Sequence, residues 1–583
     1  MIVHDKRWWK EAVVYQIFPR TFKDSKGQGD YGDIQGIISK LDYIKKLGVD
    51  VVWVSPFFKS PQIDLGYDIS DYQDVHEPYG KVSDVEELIA GCHERGMKVL
   101  FDLVVNHTSD LHPWFKESRS SKDNPKRDWY MWRPARCIDG VRQPPCNWKA
   151  AFGGSVWEWD EPSQEYYLHY FAVEQPDLNW ENSEVREAIY SEVCRFWLDK
   201  GCDGFRIDTA NLYSKHLDFP DAPIVDPSSP YQPAWKLVCN GPKIHEFLRE
   251  LRKETWGRYD AMTIGECGET FEIEDILKYV SKEAAQLDMI IQFDLVNIDH
   301  GSRRFQFLPQ EWKLSQFKKI TRRAQELTDP KNEAWAAIYL ENHDQGRSVP
   351  RFANASPAHR VNSAKLLATY LLSLSGTPII YQGQEIGMIN CPESWEIEKE
   401  YKDVLTVKMW EEIKHAAEAE NDPELLAQGR KGVTLYARDH ARTPIQWDDG
   451  PQAGFSTSPN LWMRVMDSYK EINVAAQEGV AESPLEHYRR LITFRKQHPD
   501  ATVYGGIEIL DLEGDETMLY LKRAKHGQAL FFALNFTADE QAFELPIVDD
   551  IEFEIVQELK YGKGQAGKIL GPYEAQVFVG RAK

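Results

Sequence analysis

The chain has 583 residues, with 69 Lys and Arg against 92 Asp and Glu, a formal net charge of −23. Such a field repels phosphate backbones and anionic lipid, so no nucleic-acid or membrane partner is expected. With 42% hydrophobic and 28% charged residues the chain is expected to fold, into about three or four units unless a barrel claims more of it.

The start, Met1 to Trp9, lacks the apolar stretch of a signal peptide, and no run reaches the about 18 apolar residues of a membrane span. The eight cysteines form no CxxC pair, which argues against a zinc cluster or a disulfide framework. A bridge between Cys137 and Cys146 is the alternative to a fully reduced, cytoplasmic chain, and the reduced chain is the expectation. The 19 Trp are mostly core, although aromatic rings in an acidic protein also suit the apolar faces of sugars.

Short apolar runs rich in β-branched and aromatic residues then recur along the chain. They are Val13–Phe18, Val49–Val54, Val99–Val105, Gly204–Ala210, Met262–Cys267, Met289–Leu295, Ala334–Leu340 and Pro378–Tyr381. Lacking polar alternation, they read as parallel strands buried on both faces. Between them lie amphipathic helices. One is predicted from Ile34 to Leu47, with Asp33 as N-cap and Gly48 as stop; others end near Gly96 and Gly201. Eight βα repeats predict an α/β fold, a closed (β/α)8 TIM barrel. Between the third and fourth runs an excursion rich in Trp, Pro, Asn and Asp marks an inserted subdomain after strand 3. Beyond Gly505 period-2 runs predict a C-terminal antiparallel β domain. The expected division is 1–106 with 181–505 as the barrel, 107–180 as the insertion, and 506–583 as the β domain.

In such a barrel, polar residues at C-terminal strand ends carry the chemistry. Here the ends deliver Asp102–His107 (DLVVNH), Gly204–Thr209 (GFRIDT), Gly265–Glu266 and Glu341–Asp344 (ENHD), and the second run is followed by Asp64 to Asp68. Several carboxylates on one rim suit acetal cleavage. One attacks the anomeric carbon while the other, its pKa raised by the like charge, protonates the leaving oxygen.

In order and spacing these four segments resemble the signature regions of the α-amylase superfamily, glycoside hydrolase family 13, over nearly the whole chain. Gln175-Pro176-Asp177-Leu178-Asn179 resembles the fifth region of its oligo-1,6-glucosidase and α-glucosidase branch. Phe115–Ser121, Asn147-Trp148, Phe152–Ser155 and Arg442-Thr443-Pro444 resemble fungal maltases and isomaltases. The resemblance implies Asp208 as nucleophile, Arg206 keeping it ionised, Glu266 as general acid/base, and Asp344 on the hydroxyls of the reacting glucose. It implies His107 and His343 as hydrogen-bond donors to that ring, with Tyr67 stacked on it. Asp64 and Arg438 would close the pocket's far end, making the enzyme exo-acting; Phe171 and Gln175 would line it, and Arg442 would lie near the leaving sugar. Asp68 is either a site acid or a structural acid behind Tyr67.

Gly27-Gln28-Gly29-Asp30-Tyr31-Gly32 matches a dinucleotide-binding pattern, but it comes late after its strand, and Asp24, Asp30 and Asp33 would repel pyrophosphate. In relatives an acidic loop here often holds calcium, for which Asp24, Asp30 and Asp33 would be the ligands. Lys26 and Gln28 stand where a ligand belongs, so no cofactor is expected to be required. Glu269 stands where fungal relatives usually carry His, which bears on the leaving-group subsite. In this branch Thr after the nucleophile goes with α-1,4 bonds and Val with α-1,6, so Thr209 favours maltose. Sucrose and maltotriose are further expected substrates of a monomeric enzyme. An isomaltase, or a sucrose isomerase or transglucosylase, is the alternative.

Overall fold

The computed structural model describes residues 7–27, 29–301, 305, 307–525, 527–548 and 551–582. Eight parallel strands form its centre: β1 (Val14–Ile17), β2 (Val51–Val54), β3 (Lys98–Leu103), β4 (Gly204–Ile207), β5 (Met262–Glu266), β6 (Met289–Ile291), β7 (Ala337–Ile338) and β8 (Thr377–Tyr381). Each lies within, or one residue beyond, one of the eight apolar runs. Their order is β6-β5-β4-β3-β2-β1-β8-β7, and a parallel bridge between Ile290 and Ala336 joins the two edges, closing the (β/α)8 barrel.

Close packing of backbones sets some of the sequence. Gly204 opens β4 at φ 140°, and a Cβ there would lie 1.9 Å from the Met262 carbonyl oxygen of β5, so only glycine fits. Gly48 ends its helix at φ 99°, as its position after Leu47 predicts. The single helix predicted over Ile34–Leu47 is two, Ile34–Ile38 and Leu41–Leu47. The break falls where the Ser39 hydroxyl donates to the Gly36 carbonyl, 2.7 Å, so a side chain competes for a backbone acceptor. Asp33 does cap the first piece, accepting from Gly36 N at 2.6 Å.

After β3 the chain leaves the barrel. Residues Trp132–Arg133, Trp157–Asp160 and Glu165–Leu168 form a three-stranded antiparallel sheet. Its core of Met131, Trp148, Val156, Trp157 and Leu168 is shared with Leu212, Phe219 and Val238 from the segment after β4. The excursion is therefore packed onto the strand end that bears Asp208. Strands Gly506–Ile509, Thr517–Arg523, Ala529–Asn535, Ala575–Ala582 and Ile551–Ile555 form, in that spatial order, a five-stranded antiparallel C-terminal sheet. All eight cysteines are free thiols, and seven are buried. Among the described residues no helix is long and apolar enough to cross a membrane.

Candidate active site

Arg206, on β4 and fully buried, organises the rim. Its Nη1 donates to Asp102 Oδ1 at 2.6 Å and to Asp208 Oδ1 at 2.8 Å, and its Nη2 bonds Glu266 Oε2. One guanidinium thus holds carboxylates from the ends of β3, β4 and β5. Asp102 is further fixed by the Trp53 indole N–H, 2.7 Å.

Burial pushes the Glu266 carboxyl up to about 8, and the charges of Asp208 and Asp344 push the same way against the pull of Arg206. Burial raises Asp208 less, to about 6, against the attraction and the hydrogen bond of Arg206. Near neutral pH the pair therefore separates into an ionised Asp208 and a protonated Glu266. Asp344 differs: burial would raise it, but nearby positive charge, that of Arg438 and Arg442 included, holds it well below the usual carboxylate range.

Thr209 follows Asp208 at φ 41°, a left-handed conformation that costs a β-branched residue about 1–3 kcal/mol. In that conformation its N–H points at Glu266 Oε2, 3.3 Å, and its hydroxyl donates to Asp208 Oδ2, 3.2 Å. The hydroxyl is thus shared with the carboxylate itself, a role the sequence reading did not assign.

The ring-facing residues also converge. Tyr67 and His343 stack with centroids 5.2 Å apart and planes 2° apart, and the Tyr67 hydroxyl lies 2.6 Å from His343 Nε2. Gln16 Nε2 lies 2.8 Å from His343 Nδ1, and burial drops this imidazole to about 3, so it is neutral. His107 Nε2 lies 3.1 Å from the Tyr67 carbonyl oxygen and 3.2 Å from Gln175 Nε2, and its ring packs on Phe171 at 5.1 Å. Gln175 Nε2 donates to Asp64 Oδ2 at 3.2 Å. Asp68 accepts from the Ser60 hydroxyl and from Ile63 N and Asp64 N, so it shapes the loop that carries Asp64 and Tyr67.

Arg438 Nη2 pairs with Asp64 Oδ1 at 2.9 Å, and its Nη1 with Asp344 Oδ1 at 3.1 Å. Arg442, expected beside the leaving sugar, is fully buried instead. Its Nη2 donates to Asp344 Oδ1, its Nη1 to Asp403 Oδ2 and its Nε to the His343 carbonyl. It supports Asp344 from behind, because those three partners use its donors within the core. Asp403, which grips both arginines, is absent from the sequence-based assignment. Its only sequence signal is an Asp directly before an apolar helical run.

Asp24 and Asp33 are occupied by the chain itself. Asp24 Oδ1 accepts from Lys26 N and Gly27 N and its Oδ2 from the Ser456 hydroxyl; Asp33 accepts from Gly36 N and Ser25. Among the described residues no three His, Cys, Asp or Glu side chains group to hold a metal ion. Gln28 lies outside the described residues. Glu269 is half-buried at φ 51°, near enough for its charge to help raise the Cys239 thiol, whose main cause is burial.

The profile described as alpha amylase, catalytic domain, matches residues 16–505. An alpha-glucosidase of Candida albicans is 47% identical over 99% of this chain and 99% of its own length. An oligo-1,6-glucosidase of Parageobacillus thermoglucosidasius is 43% identical over 98% of this chain and 99% of its own. The crystal structure of isomaltulose synthase from Erwinia rhapontici NX5 superposes with a TM-score of 0.90 at 35% identity, covering 99% of this chain and 100% of that one.

Proposed function

Since this chain belongs to the alpha-amylase family and is a glycoside hydrolase, we propose that it is a retaining, exo-acting α-glucosidase. It releases glucose from the non-reducing end of short oligosaccharides, with α-1,4-linked maltose preferred and sucrose and maltotriose also cleaved. The observation that carries this reading is the single guanidinium of Arg206 shared by Asp208 and Glu266. A shared cation draws the two carboxyls toward the about 5–5.5 Å of a retaining pair rather than the about 6.5–9.5 Å that leaves room for a water.

In this reading Asp208 attacks the anomeric carbon while the Glu266 proton passes to the glycosidic oxygen, and the C–O bond to the leaving sugar breaks. Glu266, now a carboxylate, takes a proton from water as that water attacks the same carbon and frees Asp208. Two inversions leave α-glucose. Asp344, kept ionised by Arg438 and Arg442, accepts from the hydroxyls of the reacting ring, with His107 and His343 beside it and Tyr67 beneath. The Asp64–Arg438 pair closes the far end, so one glucose fits, while Phe171 and Gln175 wall the side. Thr209 lies between the reacting glucose and the leaving sugar, which supports the α-1,4 preference.

The segments 107–180 and 506–583 are read as subdomain and C-terminal domain around the barrel, in a monomeric, cytoplasmic protein whose buried free thiols suit a reducing compartment. Calcium plays no part, since Asp24 and Asp33 are committed to hydrogen bonds within the chain. Oligo-1,6-glucosidase or sucrose-isomerising activity is the competing reading, favoured by the likeness to proteins so named. Comparing kcat/KM for maltose, isomaltose and sucrose, with product analysis on sucrose, separates the three. Equal or greater efficiency on isomaltose would shift the assignment, as would isomeric disaccharides from sucrose in place of glucose and fructose.

A further inference from the structure

The two arginines at the closed end of the pocket are themselves held by one acid that no sugar can reach. Asp403 is fully buried. Its Oδ1 accepts from Arg438 Nε at 2.9 Å; its Oδ2 accepts from Arg438 Nη2 at 2.8 Å and from Arg442 Nη1 at 2.6 Å. The same Oδ1 caps the helix Val404–Glu420 through Leu405 N and Thr406 N. In return, Asp439, between the two arginines in sequence, accepts from Lys402 N at 2.6 Å and Asp403 N at 3.0 Å. Segments 402–406 and 438–442 are thus clasped in both directions, side chain to side chain through Asp403 and side chain to backbone through Asp439.

We propose that Asp403 is a positioning residue for the closed pocket end, and that its carboxylate keeps Arg438 and Arg442 from collapsing onto Asp64 and Asp344. The argument is one of competing acceptors. Arg438 reaches Asp64 and Asp344 with its outward-facing donors, and Arg442 reaches Asp344 with one. The donors on the opposite sides of both groups are taken by Asp403. Leaving a buried guanidinium donor unpaired costs free energy, so donors released by Asp403 would turn to other acceptors. Without Asp403 the carboxylates that the two arginines already touch are Asp64 and Asp344, whose free lone pairs the glucosidase reading assigns to sugar hydroxyls. The inference rests on that reading. It adds that affinity for the terminal glucose depends on an acid outside the sugar's reach.

The test pairs Asp403→Asn with Asp422→Asn. Asp422 caps the helix Pro423–Tyr436 through Glu424 N and Leu425 N, with no arginine bonded to its side chain. The amide in Asp403→Asn turns donors toward donors. The inhibition constant for glucose should rise at least tenfold. kcat/KM should fall about 10²-fold, the scale of a roughly 1 Å misplacement. The fall should be equal for maltose, sucrose and nitrophenyl α-glucoside, since all present the same glucose to the closed end. Asp422→Asn, whose amide oxygen can still cap its helix, should keep both constants within about twofold. Asp403→Glu keeps the charge and serves if the amide variant does not fold; its glucose inhibition constant should also rise. Wild-type glucose inhibition in either folded Asp403 variant, or losses that vary with the leaving group, would overturn the inference. A wild type that frees no glucose from any α-glucoside would instead remove the reading beneath it.

Discussion

Thr209→Val separates two jobs that the structure gives one hydroxyl. The substitution is close to isosteric and both residues are β-branched, so the cost of φ 41° is common to both and the melting temperature should move little. The hydroxyl donates to Asp208 Oδ2 at 3.2 Å. A hydrogen bond to a charged acceptor contributes about 1.5–3 kcal/mol, and one this long belongs at the low end, about tenfold in rate. Every substrate needs Asp208, so that loss falls on all of them. A second loss falls on maltose alone, where the hydroxyl meets an α-1,4-linked leaving sugar. Burying that sugar's polar group unpaired costs about 1–3 kcal/mol, roughly 5- to 150-fold. An α-1,6 leaving group has one more rotatable bond and can pack on the methyl. Initial rates of glucose release should therefore show the maltose-to-isomaltose ratio of kcat/KM falling about 5- to 150-fold, with isomaltose losing about tenfold at most. An unmoved ratio, or a wild type that prefers isomaltose, would refute the reasoning and turn attention to Glu269.

Glu266→Gln should lower kcat/KM for maltose by about 10²–10⁴-fold and hurt nitrophenyl α-glucoside less, since that leaving group needs little protonation; equal losses would contradict Glu266 as the acid. Asp208→Asn should abolish turnover while the protein stays folded by circular dichroism, and near-normal kcat would place the nucleophile elsewhere. The pH profile of kcat/KM should rise through about 6 as Asp208 loses its proton and fall through about 8 as Glu266 loses the proton it must donate; a profile flat to pH 10 would contradict this assignment. Melting temperature and activity should ignore a calcium chelator, because Asp24 and Asp33 already accept hydrogen bonds from their own chain; a drop of several degrees would show a bound ion.

The barrel was legible because a strand buried on both faces must be apolar throughout, and the eight runs answer to that demand alone. Boundaries were less so: the seventh run extends to Leu340, yet β7 stops at Ile338, where Tyr339 turns its hydroxyl to the Gln292 carbonyl. The break at Ser39 turns on one side chain outbidding the backbone, which periodicity does not register. At the site, the residues near strand ends were readable from position in the barrel. Asp403 and the burial of Arg442 were not, because their meaning lies in pairing across 39 positions of chain. In sequence Asp403 looks like any other helix cap. Thr209 was singled out for its neighbour, but its bond to Asp208 depends on a left-handed backbone that a β-branched residue does not advertise.

The central claim is that Asp208 and Glu266 cleave a terminal α-glucosidic bond with retention. Proton NMR of maltose hydrolysis, followed from the first seconds with enough enzyme to outrun mutarotation, tests it most directly. The account predicts that the newly released non-reducing glucose appears as the α anomer, with any excess β growing only at the mutarotation rate. Initial release of β-glucose from that end would contradict it.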